Sequence, residues 1–282
     1  MDLLDRAVAP PPPPSKRTGR NLPAAVAVGA VLGGGVLVTL LTVKATFLLY
    51  MGAALAVGVH ELDVALRSKD VRVPALPILL GGAGMVTGTY WLGGFATAAA
   101  FSLTVLAVLV WRMAESSEGY VRDVTAGVFT AAYLPLFGSA VAAMLAPADG
   151  GRRVLVFIIV TICSDIGGYF VGISFGKHKL APAISPKKTW EGLGGSLAAC
   201  LTAGAVTVPL MLHGQVWQGL LLGAAVTCAA IIGDLVESMI KRDLGIKDMG
   251  SLLPGHGGVL DRIDSLLVSA PVAWLLLAAF IR

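Results

Sequence analysis

Asp165, Asp234, Asp261 and Asp264 each lie inside or at the edge of a long apolar run. A carboxylate in that setting is costly unless it has a partner or a function. Asp261 and Asp264 are three residues apart, so a helix that begins before them carries both on one face. Like charges so close favour a bound cation, and oxygen-only ligation suits Mg²⁺, which takes one or two carboxylates and fills its shell with water and phosphate oxygens. Membrane-edge ion pairs with Lys241, Arg242 and Arg262 are the competing reading.

The cations and glycines needed for phosphate chemistry stand in the same stretch. Residues 238–264 read SMIKRDLGIKDMGSLLPGHGGVLDRID, and they hold 8 of the 38 charges in the chain. The glycines of Pro254-Gly255-His256-Gly257-Gly258 permit positive φ and close backbone approach, and N–H groups at such a loop and the helix start after it suit phosphate oxygens. Lys241, Arg242, Lys247 and Arg262 can neutralise a polyphosphate, with His256 as a further donor or acid-base group. Carboxylates for a metal, glycines for phosphate and cations for a leaving group are the parts of phosphoryl or nucleotidyl transfer.

A second polar segment, Ser185-Pro186-Lys187-Lys188-Thr189-Trp190-Glu191, has its own logic. Lys187 and Lys188 can hold an anionic lipid head, Trp190 can sit at the interface, and Ser185 or Thr189 can donate to phosphate or nucleoside. The reading that competes is a basic topology loop. Gly172 to His178 falls one residue short of a P-loop and lacks Ser or Thr after the lysine, so it is set aside. His60-Glu61 opens like a zincin motif but has no second histidine and reads as interfacial. His178 and His213 read as loop residues.

The elements that position these groups are membrane spans. The 282 residues are 56% hydrophobic and 13% charged, with a mean hydropathy of +0.82; a water-soluble domain carries roughly 25% charged residues. Apolar runs near 24–43, 45–60, 73–91, 93–111, 124–146, 153–173, 193–212, 216–236 and 263–280 predict an all-α polytopic transmembrane bundle of nine spans, with eight as the competing count. Under nine spans, 17 of the 21 Lys and Arg fall on one side, against Lys44, Arg152, Arg153 and Arg282 on the other. That asymmetry predicts a cytoplasmic N-terminus and a cytoplasmic site in the inner (plasma) membrane, with Arg152-Arg153 as the exception. The loops near 174–192 and 237–262 are longer than connectors need to be. The chain divides into a proline-rich tail (1–22), N-terminal spans (23–150) and a C-terminal catalytic region (151–282). Gly168, Gly172 and Gly176 form a small-residue stripe for helix packing. Cys163, Cys200 and Cys228 lie in apolar runs and read as core residues, and the basic balance reads as topology and lipid contact, with no nucleic acid as partner.

Residues 238–264 resemble the signature of the phosphatidate cytidylyltransferases, or CDP-diacylglycerol synthases. Ser238, Ile240, Lys241, Arg242, Lys247, Asp248, Gly250, Leu253, Pro254, His256, Gly257, Gly258, Val259, Asp261, Arg262, Ile263 and Asp264 match it without a gap. The resemblance extends to Ser164-Asp165 with Gly167-Gly168-Tyr169, to the Ser185–Gly192 loop, and to Gly233-Asp234-Leu235 before Glu237-Ser238. It implies transfer from CTP to phosphatidic acid, giving CDP-diacylglycerol and pyrophosphate. Mg²⁺, with K⁺ as a second cation, would be held by Asp234 and Asp261. The implied catalytic set is Asp234, Lys241, Arg242, Lys247, Asp248, His256, Asp261 and Asp264. The implied substrate set is Asp165, Ser185, Lys187, Lys188, Thr189, Ser238, Gly257, Gly258 and Arg262, and the implied assembly is a homodimer. A CTP-dependent lipid or polyprenol kinase and, in a different class, a secondary transporter are the alternatives. The unbroken signature disfavours the first. For the second there is no repeated broken-helix pair.

Overall fold

A computed structural model describes residues 22–115, 117–252 and 257–281. The expected proline-rich tail, up to residue 21, and His256 lie outside the described residues. The architecture is the all-α bundle expected. Its helices are α1 (Leu22–Leu41), α2 (Lys44–Arg67), α3 (Ala75–Leu92), α4 (Gly94–Glu115), α5 (Tyr120–Ala131), α6 (Phe137–Leu145), α7 (Gly150–Phe175), α8 (Trp190–Leu212), α9 (Val216–Leu244) and α10 (Leu260–Phe280). A π-helical turn, Ala132–Leu136, joins α5 to α6 as one continuous rod. Pro135 within it has no N–H to donate, and the wider turn absorbs that loss. Each of the nine expected spans falls on one of these rods. Among the described residues eight helices are long and apolar enough to cross a membrane, and the protein is a multi-pass membrane protein.

Several helices run past the expected spans, furthest at α2, which continues to Arg67 and not to 60 and so carries Glu61, and at α9. α9 runs to Leu244, not to 236, and ends in an αL cap at Gly245, φ 73°. α10 begins at Leu260, so Asp261 and Asp264 are on its first two turns. The other polar segment is not a plain loop but an antiparallel hairpin of β1 (Lys179–Ala181) and β2 (Ser185–Thr189), pairing Lys179 with Thr189 and Ala181 with Ser185.

Small residues set the helix spacing in the C-terminal half. The stripe on α7 meets α8 as expected: a Cβ on Gly168 would come 2.5 Å from Ser196 Oγ, and one on Gly167 would come 2.5 Å from the Gly195 carbonyl. Ser196 Oγ donates to the Ser164 carbonyl across the same contact, 2.7 Å. Glycine also brings α10 onto α9, since a Cβ on Gly233 would lie 2.7 Å from the Asp264 carbonyl. Van der Waals packing and interhelical hydrogen bonds are what drive association where lipid removes the hydrophobic contrast. All three cysteines are free; Cys200 is buried, whereas Cys163 is half-buried and Cys228 is exposed, so the core reading holds for Cys200 alone.

Two of the cations on the sparsely charged side, Lys44 and Arg153, are used internally. Lys44 Nζ donates to the carbonyls of Leu145, Ala146 and Pro147 at 3.3, 3.0 and 2.5 Å, closing the C-terminal end of α6. Arg153 is buried; it donates to Asp149 Oδ1 at 2.9 Å and to the Ile281 carbonyl at 3.0 Å. That explains part of the Arg152-Arg153 exception to the charge asymmetry: Arg153 ties the end of α10 to α7.

Candidate active site

The C-terminal third of α9 carries Asp234, Glu237 and Lys241 at i, i+3 and i+7, on one helix face. α10 approaches that face with Asp261 and Asp264. One carboxylate oxygen from each of Asp234, Glu237 and Asp264 lies within 4.8 Å of the others. Glu237 and Asp264 are buried, at 2% and 6% exposure. Lys241 Nζ bridges the helices, 2.6 Å from Glu237 Oε2 and 2.9 Å from Asp261 Oδ1. Asp261 Oδ2 accepts from the Gly258 N–H at 2.9 Å and the Met249 N–H at 3.0 Å.

The third wall is the hairpin. Lys188 Nζ reaches Asp234 Oδ2 at 2.5 Å. Thr189 Oγ1 accepts from Gly192 N–H at 3.1 Å and so caps α8, the ordinary role of a threonine at that position. Glu191 Oε2 accepts the Lys177 and His178 N–H groups at 3.1 and 3.2 Å, and Glu191 Oε1 lies 2.6 Å from His178 Nδ1. On the other side Arg242 Nε donates to the Ile184 carbonyl. The hairpin is therefore fastened to α8 and to α9, and Lys188 is presented from a held strand.

These elements enclose a cavity of about 780 Å³. From α7 come Ser164, Asp165, Gly168 and Gly172; from the hairpin Ser185, Lys187, Lys188 and Thr189; from α9, α10 and the segment between them Asp234, Glu237, Lys241, Asp248, Asp261, Arg262 and Asp264. A second cavity of about 860 Å³ lies at the opposite end, between α1, α7 and α8, with Lys44, Asp149 and Arg152 among its lining. There Lys44 is already engaged by three carbonyls and Asp149 by Arg153, and no carboxylate group faces it comparable to the first.

The structure thus gathers most of the expected site residues, but not all in the roles expected. Arg242, Lys247, Ser238, Gly257 and Gly258 are not in the cavity wall: Arg242 holds the hairpin, and Lys247 is exposed. The Gly258 N–H, expected at phosphate, donates to Asp261; Gly257 does adopt the positive φ its position calls for, 84°. Asp261 has both oxygens engaged, whereas Asp234 and Asp264 crowd with Glu237. Glu237 is absent from the expected ligand set, although its place, three after Asp234 and four before Lys241, is a usable signal. Glu61 is a further residue outside the expected set. It is 6% exposed and accepts the N–H groups at the start of α10; nothing in its neighbourhood along the chain points there.

One buried atom tests whether a cation fits. Among the described residues Glu237 Oε1 has no hydrogen-bond partner, inside a group where three carboxylates meet two lysines, Lys188 and Lys241. A buried carboxylate oxygen left unpaired is costly, and hard oxygen donors at this spacing are the donor set a Mg²⁺ ion takes. The residues present fit the ion.

Residues 23–280 match the model of the cytidylyltransferase family. A phosphatidate cytidylyltransferase of Mycobacterium leprae is 43% identical over 277 residues, covering 93% of this chain and 89% of that protein. Proteins of the same name from Mycobacterium bovis and Pseudomonas aeruginosa are 41% and 37% identical, covering 93% and 92% of this chain and 90% and 96% of theirs. With a family match over nearly its whole length and relatives this similar from end to end, the chain belongs to the cytidylyltransferase family.

Proposed function

We propose that the chain is a phosphatidate cytidylyltransferase: it transfers the cytidylyl group of CTP to phosphatidate, giving CDP-diacylglycerol and pyrophosphate, at the cytoplasmic face of the inner membrane. The observation that carries this reading is the cavity in which the Asp234, Glu237 and Asp264 carboxylates face Lys188 and Lys241, beside a hairpin whose Lys187 and Lys188 stand where a lipid phosphate would arrive. Asp234, Glu237 and Asp264 would hold Mg²⁺, with Asp261 adjacent, and the ion would supply charge neutralisation for the triphosphate when bound.

The chain's own residues do the rest by placement. A phosphatidate oxygen attacks the α-phosphorus of CTP; the new O–P bond forms as the bond to the β-phosphate oxygen breaks, and pyrophosphate leaves with that electron pair. No protein nucleophile is needed. A phosphate monoester already exposes an ionised oxygen near neutral pH. Lys187 and Lys188 orient the lipid phosphate, Lys241 and Arg262 offset charge on the departing group, and Ser185 is within the same wall to donate to phosphate. Preorganised cations aimed at the developing charge need no reorganisation at the moment of reaction. Arg242 contributes indirectly, by fixing the hairpin that carries Lys188.

The test is direct. Purified protein in detergent, given labelled CTP, phosphatidate and Mg²⁺, should form a labelled CDP-lipid and pyrophosphate. Formation of CDP with a newly phosphorylated lipid would move the protein to the lipid kinases, and no CDP-lipid from folded protein would overturn the reading.

A further inference from the structure

Glu61 lies on α2, in the half of the molecule that carries none of the signature. Its carboxylate nevertheless closes the start of α10: Oε1 accepts the Val259 N–H at 3.0 Å and Oε2 the Leu260 N–H at 2.8 Å, across 198 and 199 positions of sequence. The first N–H groups of a helix have no acceptor within the helix. Here they are met by a buried carboxylate, the charge that a helix N-terminus favours.

Two glycines make room for it. A Cβ on Gly258 would come 2.7 Å from Glu61 Oε2 and 2.8 Å from the Gly250 nitrogen, and a Cβ on Gly250 would collide with Glu61 Oε1. Gly250 and Gly258 flank the loop of the signature, so their backbones close on the Glu61 carboxylate from both ends. Asp261 takes the preceding N–H, that of Gly258. Three successive amides, 258 to 260, are thereby bound by protein carboxylates, and the rotation of α10 about its axis is set. Asp264, four residues beyond Leu260, faces α9 as a consequence.

We propose that Glu61 is a positioning residue for cytidylyl transfer: its carboxylate takes the anion's place at the N-terminus of α10 and fixes the phase of that helix, so that Asp261 meets Lys241 and Asp264 meets Asp234 and Glu237. This rests on the reading of that carboxylate group as the reaction site. Glu61→Gln is close to isosteric, but its NH₂ must face a backbone N–H donor, so one hydrogen bond is replaced by a clash of donors. Glu61→Asp keeps both acceptors on a shorter stem.

Full-length protein in detergent carries the test, with turnover, KM for phosphatidate and hydrogen exchange of the peptide around 257–265 measured together. Loss of a charged hydrogen bond should speed exchange there by about tenfold or more. Turnover in Glu61→Gln should fall about 10- to 100-fold, the range for partners that orient ligands, with KM for phosphatidate changed by less than about threefold. Glu61→Asp should recover part of both. Faster exchange with wild-type turnover would make Glu61 merely structural and overturn the proposal, as would lost turnover with unchanged exchange. If Glu61→Gln does not fold, Glu61→Asp decides alone, by the same pairing of exchange and turnover. Asp264→Asn separates the two levels: if it turns over like wild type, the site reading falls, whereas a silent Glu61→Gln beside an inactive Asp264→Asn overturns only the role of Glu61.

Discussion

Two groups of buried charge sit in this bundle, and they are built on opposite principles. In the N-terminal half Arg112 and Asp123, each 1% exposed, pair at 2.8 Å between α4 and α5. Asp123 Oδ1 takes the Arg72 N–H and Arg122 Nε, both at 3.1 Å, and Arg112 also pairs with Glu115. Every oxygen of Asp123 is matched. In the C-terminal half Asp234, Glu237, Asp261 and Asp264 face Lys188 and Lys241, and Glu237 Oε1 has no partner. The first group is matched charge for charge, Arg112 and Arg122 against Asp123 and Glu115, although Arg112 Nε makes no hydrogen bond, and it ties a turn to two helices. The second is left short of positive charge and opens onto a cavity, which is how a binding site differs from a strut.

That contrast is broken most severely at Asp123. Asp123→Ala leaves the buried Arg112 guanidinium with only the half-exposed Glu115 as its ion-pair partner, and losing one member of a buried pair costs about 3–5 kcal/mol. A thermal melt in detergent should show a large drop, while turnover per folded molecule stays within about threefold of wild type. A melt unchanged by this substitution would remove the distinction between the two groups.

The opposite pattern is expected at Asp264. Asp264→Asn removes one negative charge from a crowded set, so the melting temperature should hold or rise. Turnover should fall by about 10²–10³-fold, as when one preorganised electrostatic element is lost. Stability lost in parallel with activity would mean that the acidic group is a second strut.

Lys188→Met tests the hairpin wall and should act more mildly. It frees Asp234 of its one hairpin cation and takes a positive charge from the wall proposed to meet the lipid phosphate. KM for phosphatidate should rise about tenfold, with turnover lowered less than KM is raised. An effect on turnover alone would place Lys188 at the reacting phosphorus instead.

How far this contrast could be read from the chain depends on the range of the interactions. Spans follow from runs of apolar residues, a local property, and each expected span lies on a helix. The signature was equally local: Lys241, Asp248, Asp261, Arg262 and Asp264 all reach the cavity. Glu237 needed helical phase to be carried past residue 236, where hydropathy falls although the helix continues to Leu244. The β1–β2 hairpin is too short and polar for strand periodicity to show. Glu61 is the limiting case, since its partners are Val259 and Leu260, and a contact over that separation leaves no pattern in one sequence. Likewise the expected phosphate contact of the Gly258 amide ignored a competitor three residues away, Asp261, whose carboxylate is near enough to take it first.

The smallest effect is expected at Tyr133, which the N-terminal half places beside the acidic group and which sharpens where that group ends. It is on the π-helical turn, 4% exposed, stacked on Phe129 at 5.4 Å between ring centroids. Its hydroxyl has no hydrogen-bond partner, and its charged neighbours are Asp264, Glu237 and Asp234. An unpaired buried hydroxyl carries a desolvation cost with nothing to offset it. Tyr133→Phe should therefore leave stability unchanged or raise it by about 1 kcal/mol, and turnover should stay within about threefold, because the ring and its packing are kept. Thermal melts and the CDP-lipid assay read both. A drop in turnover beyond tenfold at unchanged stability would extend the open group to the hydroxyl and make the π-helical turn part of the site, so that the N-terminal half would contribute a side chain to the reaction centre itself.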